Sequence, residues 1–191
     1  AAANALKLDN ETTSNALGIG GTQAAGLFEF LTDGSMTKRF HPGRAAQSGI
    51  YSALLARAGF TGPKTILEGE MGFCRAFSDA PDLSWLNRDL GRAYKILEMG
   101  IKPYASCRYC HASIDAAQQI LAESGPLTPD KISEIVDIAS PHNVRQTGSR
   151  ELRTFMGAQM STPYSIALIL TGKGAGFDQY LSSLNDEVVL A

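Results

Sequence analysis

The chain has 191 residues, 44% of them hydrophobic and 19% charged, with a formal net charge of −2. That length suits one domain, or one domain with part of another, and the composition supplies enough apolar surface for a packed core. The slight acidity excludes a global electrostatic pull toward nucleic acid or anionic membranes, so neither is expected as a partner, and any preference for anions has to be local.

Three cysteines, Cys74, Cys107 and Cys110, cannot all pair and make no disulfide framework, which points to a reducing cytoplasm. Cys107 and Cys110 have C-x-x-C spacing, but no second ligand pair or thioredoxin-like context accompanies them, so thiol chemistry or zinc is a minor alternative. No apolar run reaches the roughly 18 residues of a membrane span. The opening Ala1-Ala-Ala-Asn-Ala-Leu-Lys-Leu8 lacks the basic region of a secretory signal and reads as the tail of a helix. Asn185 to Ala191 closes without a terminator, so both ends read as those of a piece of a longer protein.

Asp9 suits a helix N-cap, and Leu17, Ala24, Phe28 and Leu31 recur at helical spacing, which predicts a helix over 9–31. Gly18, Gly20, Gly21 and Gly26 fall inside it, each costing about 1 kcal/mol relative to Ala, and they imply close packing against a neighbour. A second helix is expected over 42–58, with Pro42 in the first turn, Gly59 as the stop, and a small-residue stripe of Ala45, Gly49, Ser52, Ala53 and Ala56. A short amphipathic segment over 64–77 offers Ile66, Leu67, Phe73 and Phe77 as core candidates.

After Asp79-Ala-Pro-Asp82 the texture changes. Residues 93–99 and 131–139 read as strands, and helices are expected over 111–123, 161–170 and 177–184. The fold class is therefore mainly α: part of a large helical domain (1–85) followed by part of an α+β lid domain (86–191).

Two constellations could carry chemistry. The first is Lys38, Arg39, His41 and Arg44, a cationic turn just before the expected helix at Pro42. Cations disfavour a helix N-terminus, so they suit either a solvated loop or a site for a bound carboxylate or phosphate. The second gathers Lys102, Arg108 and His111 at the entrance to the helix over 111–123, with Asp115 one turn after His111. That spacing suits either an ordinary surface pair or a carboxylate that fixes the imidazole tautomer.

Four stretches then resemble the MmgE/PrpD family in order and at compatible spacing. They are Asn15-Ala-Leu-Gly-Ile-Gly-Gly-Thr-Gln-Ala-Ala-Gly-Leu-Phe-Glu-Phe-Leu31, Thr37-Lys-Arg-Phe-His-Pro-Gly-Arg-Ala-Ala-Gln-Ser-Gly49, Ala58-Gly-Phe-Thr-Gly-Pro-Lys-Thr-Ile-Leu-Glu-Gly69, and Lys102-Pro-Tyr through His111-Ala-Ser-Ile-Asp-Ala-Ala117. The family includes 2-methylcitrate dehydratase, cis-aconitate decarboxylase and iminodisuccinate epimerase. The resemblance implies a helical domain and an α+β lid with the active site between them, no metal and no cofactor, a homodimer, and a small di- or tricarboxylate substrate. It implies Lys38 and Lys102 as active-site lysines and His41 as a third catalytic residue. Arg39, Arg44, Arg108 and His111 are implied substrate-binding groups. An Asp and two His that serve proton transfer in the family lie upstream of the segment resembling Ala1, and a final portion lies beyond Ala191, so the 191 residues alone are expected to be inactive. Dehydration of a hydroxy acid is the expected reaction, with decarboxylation, epimerisation or a non-catalytic folded fragment as alternatives.

Overall fold

The structure is a computed structural model and describes residues 1–190. It is mainly helical, as the sequence reading expects, and it divides into two compact units. The first comprises residues 1–27 and 37–99, and the second comprises residues 28–36 and the stretch from Gly100 onward.

In the first unit, α1 (Ala2–Ala5), α2 (Asn10–Gly21) and α4 (Thr37–Arg57) pack together, with α5 (Phe73–Phe77) following a run of turns. Asp9 caps α2, its Oδ1 accepting from the Thr12 N–H at 2.7 Å. The helix stops at Gly21, ten residues short of the expected Leu31. Its end is closed by side chains: the Thr22 hydroxyl and the Gln23 amide both donate to the Ile19 carbonyl, at 2.8 and 3.1 Å. The buried face is correspondingly Ala16, Gly18 and Ile19, while Leu17, Ala24 and Phe28 are exposed.

Ala16 and Ile19 meet Ala53 and Ala56 of α4, with Ala2, Ala3, Leu6 and Leu8 around them. The small-residue stripe on α4 is thus buried at Ser52, Ala53 and Ala56 but exposed at Ala45 and Gly49. Close packing at Gly18 is realised against the 62–63 turn, where a Cβ would sit 2.5 Å from the Pro63 carbonyl oxygen. Of the 64–77 core candidates, Ile66 and Leu67 are half-buried; Phe73 and Phe77 are exposed and stack on each other with ring centroids 4.6 Å apart.

The second unit is built on α6 (His111–Ser124) against α9 (Thr162–Leu170), with α3 (Phe30–Asp33), α7 (Pro141–Thr147), α8 (Phe155–Gln159), α10 (Phe177–Ser182) and α11 (Glu187–Leu190) around them. Its core joins Cys110, Ile114 and Ala117 to Tyr164, Leu168, Ile169 and Tyr180. α9 is apolar nearly all round because it is buried nearly all round. Ser161 caps it by accepting from the Tyr164 N–H at 3.2 Å, and its hydroxyl donates to the Ser149 carbonyl at 2.7 Å. Three helices, α7, α8 and α11, are additional to those the sequence predicts, although the first two open on a capping residue, Ser140 before Pro141 and Thr154 before Phe155.

Neither expected strand forms. Residues 95–98 make a 3₁₀ turn, fastened by a local ion pair between Lys95 and Glu98 at 2.7 Å, and Ile96, Leu97 and Met99 are exposed. Residues 132–139 have no regular structure, and no segment pairs with them among the described residues. The stretch is tied down by side chains instead: Ser113 Oγ donates to Asp137 at 3.0 Å, and Tyr109 Oη meets His142 Nε2 at 3.2 Å just beyond it. An alternating pattern supplies one face for a strand, but a ladder also needs a partner.

Candidate functional site

The first cationic cluster lies inside a helix rather than before one. α4 begins at Thr37, so Lys38 and Arg39 occupy its first turn, and His41 follows in the second. Pro42 is an interior residue, giving the ladder no N–H at the position that would serve the Lys38 carbonyl. Lys38 is half-buried and Arg39 exposed. The His41 ring, also half-buried, lies against Gly26, where a Cβ would stand 3.5 Å from Nδ1. Arg44 is exposed and donates along the helix to Gln47 Oε1 at 3.0 Å. A helix start concentrates unsatisfied N–H groups and positive dipole charge, so lysine and arginine in that turn oppose helix formation unless an anion offsets them.

The second cluster surrounds the start of α6. The 104–107 loop is clamped from α8 and from the turn before α10: the Gln159 side chain donates to the Ala105 carbonyl at 2.6 Å, the Cys107 N–H donates to the Gln159 carbonyl at 2.8 Å, and the Ala105 N–H donates to the Ala175 carbonyl at 3.0 Å. Lys102 reaches back over this loop and donates to the Ser106 carbonyl at 3.2 Å. Gln159 carries no sequence signal, because its partner lies 54 positions away.

His111 is 5% exposed. Its partner is not Asp115. Arg108 Nη1 lies 3.2 Å from His111 Nδ1, and a guanidinium can only donate, so Nδ1 accepts and the neutral ring carries its proton on Nε2. Burial is the main cause that holds the imidazole below its ordinary 6.5, and the Arg108 and Lys102 charges act the same way. The Asp115 carboxylate accepts instead from Tyr104 Oη at 2.5 Å, which raises the phenol's pKa, and the Tyr104 ring stands edge-on to His111 with centroids 5.1 Å apart.

The two nearby thiols are free and not bonded to each other. Cys110 is fully buried, and burial pushes its thiol up, which disfavours the nucleophilic thiolate. A cavity of about 870 Å³ in the second unit lies elsewhere, under residues 132–139 and against α9 and α11. Its charged lining groups are Glu134, Asp137 and Arg150, a balance unsuited to a dicarboxylate.

Comparison with known proteins places both halves of the chain. Residues 1–86 match the MmgE/PrpD N-terminal domain and residues 104–191 match the MmgE/PrpD C-terminal domain. The chain belongs to the MmgE/PrpD family. Among curated relatives in which the similarity is marked, it is 28% identical over 153 residues to the cis-aconitate decarboxylase-like protein oryM of Aspergillus oryzae, an alignment covering 76% of this chain and 30% of that protein. It is 31% identical over 122 residues to cis-aconitate decarboxylase of Aspergillus terreus, covering 60% of this chain and 25% of that protein. The chain therefore spans less than a third of the length of these MmgE/PrpD relatives. No helix among the described residues is long and apolar enough to cross a membrane.

Proposed function

We propose that this chain contributes to a lyase acting on a small di- or tricarboxylate, with dehydration of a hydroxy acid as the reaction. The observation that carries the reading is the placement of Lys38 and Arg39 in the first turn of α4, where their positive side chains add to the positive end of the helix dipole, a field that favours a carboxylate. On this reading a general base removes a proton next to a carboxylate. Lys38 and Lys102 then stabilise the negative charge that develops on the enolate-like intermediate, whose collapse forms the carbon–carbon double bond and breaks the C–O bond, the hydroxyl taking up a proton and leaving as water. His41 is the third catalytic candidate, and Arg39, Arg44 and Arg108 are carboxylate binders, Arg44 only after releasing Gln47. The same reading takes the protein as a cytoplasmic homodimer that needs no metal or organic cofactor.

Decarboxylation is the second reading, favoured by the names of the Aspergillus relatives. The natural polypeptide incubated with cis-aconitate, 2-methylcitrate and succinate-type acids separates the two by product mass, loss of water against loss of carbon dioxide. Lys38→Ala is expected to lower kcat/KM by about a hundredfold, the scale of removing one preorganised charge-stabilising group. Wild-type activity in that variant refutes the role of Lys38. No turnover of any of these acids by the natural polypeptide favours a non-catalytic fragment.

A further inference from the structure

Residues 133–139 have the alternation of a strand, yet none of their backbone N–H or C=O groups makes a hydrogen bond among the described residues. The ends of the stretch are fixed. The Ile132 N–H donates to the Pro129 carbonyl at 3.1 Å, and Ser140 accepts from the Asn143 N–H at 3.3 Å where it caps α7. Between these ends the anchor is a side chain, Ser113 of α6 donating to Asp137 Oδ1 at 3.0 Å. On either side of that anchor Val136 is 70% exposed and Ile138 94% exposed. An extended chain turns successive side chains to opposite faces, which sets Val136 and Ile138 opposite Asp137.

The cavity of about 870 Å³ is lined by this stretch on one side. On the other it is lined by Ile166 and Leu170 of α9 and by Val188, Val189 and Leu190 of α11. A row of unpaired backbone groups beside an apolar trough is what a sheet edge presents before a further strand is added. A small apolar molecule could fill the trough but would leave that row without partners. The charged groups of the lining, Glu134, Asp137 and Arg150, are mixed in sign and select neither an anion nor a cation.

We propose that residues 133–139 are an edge strand of the natural polypeptide, and that the trough seats a β-strand supplied by the same polypeptide from beyond α11. Two observations select this occupant. α11 forms part of the trough wall up to Leu190, so chain that follows it starts at the same cavity. This chain also spans less than a third of the length of its curated relatives, so a polypeptide of that length has residues to supply. Closing a short connection costs little entropy, whereas a second copy would give up translational and rotational freedom to make the same bonds. The added strand is expected to alternate, with apolar residues turned to α9 and α11 and polar residues outward. This pairing does not depend on which reaction the protein performs.

Hydrogen–deuterium exchange of the natural polypeptide reads the pairing. Alternate amides between Ser133 and Ala139 are expected to exchange more than about tenfold slower than in an unstructured peptide of the same sequence. Less slowing than that at every one of them overturns the proposal. Photo-cross-linking identifies the occupant: Ile138→p-benzoylphenylalanine puts the probe on the face of Val136, at an exposed position outside the cavity lining. Cross-links that keep the mass of one chain and map beyond residue 191 are expected. A product of twice the mass makes the occupant a second copy and overturns the proposal, as do cross-links confined to residues 1–190. Should the variant not fold or not react, a crystal structure of the unmodified natural polypeptide decides. A strand from beyond residue 191 bonded to 133–139 supports the proposal, and an open trough, a bound apolar molecule or a strand from a second copy overturns it.

Discussion

Tyr180 donates its hydroxyl to Ser165 Oγ at 2.5 Å in the centre of the second unit, with neither residue exposed to solvent. Ser165 Oγ in turn donates to the Ser161 carbonyl at 2.6 Å, and Tyr164 Oη donates to the Tyr180 carbonyl at 3.4 Å. The core that holds α9 against α10 is therefore polar as well as apolar, and its hydroxyls work only as a connected set. Burial accordingly pushes the Tyr164 phenol up to about 12. Tyr180→Phe keeps the ring and leaves Ser165 Oγ without its donor, so a loss of about 1–2 kcal/mol is expected. Tyr180→Ala also opens a cavity and should cost about 3–5 kcal/mol. Denaturant midpoints at constant m-value check both figures, and a Phe variant as stable as the parent would show that the hydroxyl contributes nothing net.

Gly18 and Gly20 sit two residues apart on α2 yet face different constraints. A Cβ on Gly18 would collide with the backbone at Gly62 and Pro63, whereas one on Gly20 would stand 3.4 Å from Ser52 Oγ, a side chain that can adjust. Alanine improves helix propensity by about 1 kcal/mol at either site. At Gly18 overpacking against main chain, about 1–3 kcal/mol, outweighs that gain. Gly18→Ala should therefore lower the melting temperature, and Gly20→Ala should leave it unchanged or raise it. Calorimetry of the two variants side by side gives the comparison; equal effects would remove the close approach as the reason for glycine at position 18.

His111 gives the second unit a pH dependence of definite sign. Its folded pKa lies below the ordinary 6.5, because burial and the Arg108 and Lys102 charges oppose protonation more than the Ser106 carbonyl and Asp115 favour it. The unfolded chain therefore binds the proton more readily. Stability is expected to be fully present above pH 6.5 and to decline as pH falls toward the folded value. His111→Asn removes the titrating group and should flatten the slope of stability against pH between pH 7 and 5. An unchanged slope would assign the dependence to another group.

The three thiols should separate by reactivity. Cys74 and Cys107 are half-buried, while Cys110 is sealed in the core and its thiol is held protonated by burial. Iodoacetamide under native conditions is expected to label Cys74 and Cys107, and to label Cys110 only after denaturant is added. Peptide mass mapping reads the result. Labelling of Cys110 as fast as Cys107 would mean that the α6–α9 core opens readily.

Much of the helical content was legible because its causes are local. Asp9 and the start of α2, the start of α6 at His111, and the whole of α9 behind Ser161 depend on caps and periodicities spanning a few residues. The four motif stretches likewise marked the family before any geometry was considered. The candidate site was legible as a set of residue types, Lys38, His41, Lys102, Arg108 and His111, but not as partnerships.

Tertiary structure alone decided the rest. Spacing suggested Asp115 as the partner of His111, yet Asp115 is claimed by Tyr104, eleven positions away, and His111 by Arg108. Residues 28–31 read as the end of a first helix, yet the stretch 28–36 joins the second unit, where Thr154 Oγ1 donates to the Gly34 carbonyl at 2.9 Å across 120 positions. Residues 131–139 alternate as a strand does, but a strand is defined by hydrogen bonds to another segment, and no short window of sequence contains that partner. Local hydrogen bonds between near neighbours are written in the order of residues. Bonds that close long loops are settled only when the chain has paid the entropy of bringing distant residues together.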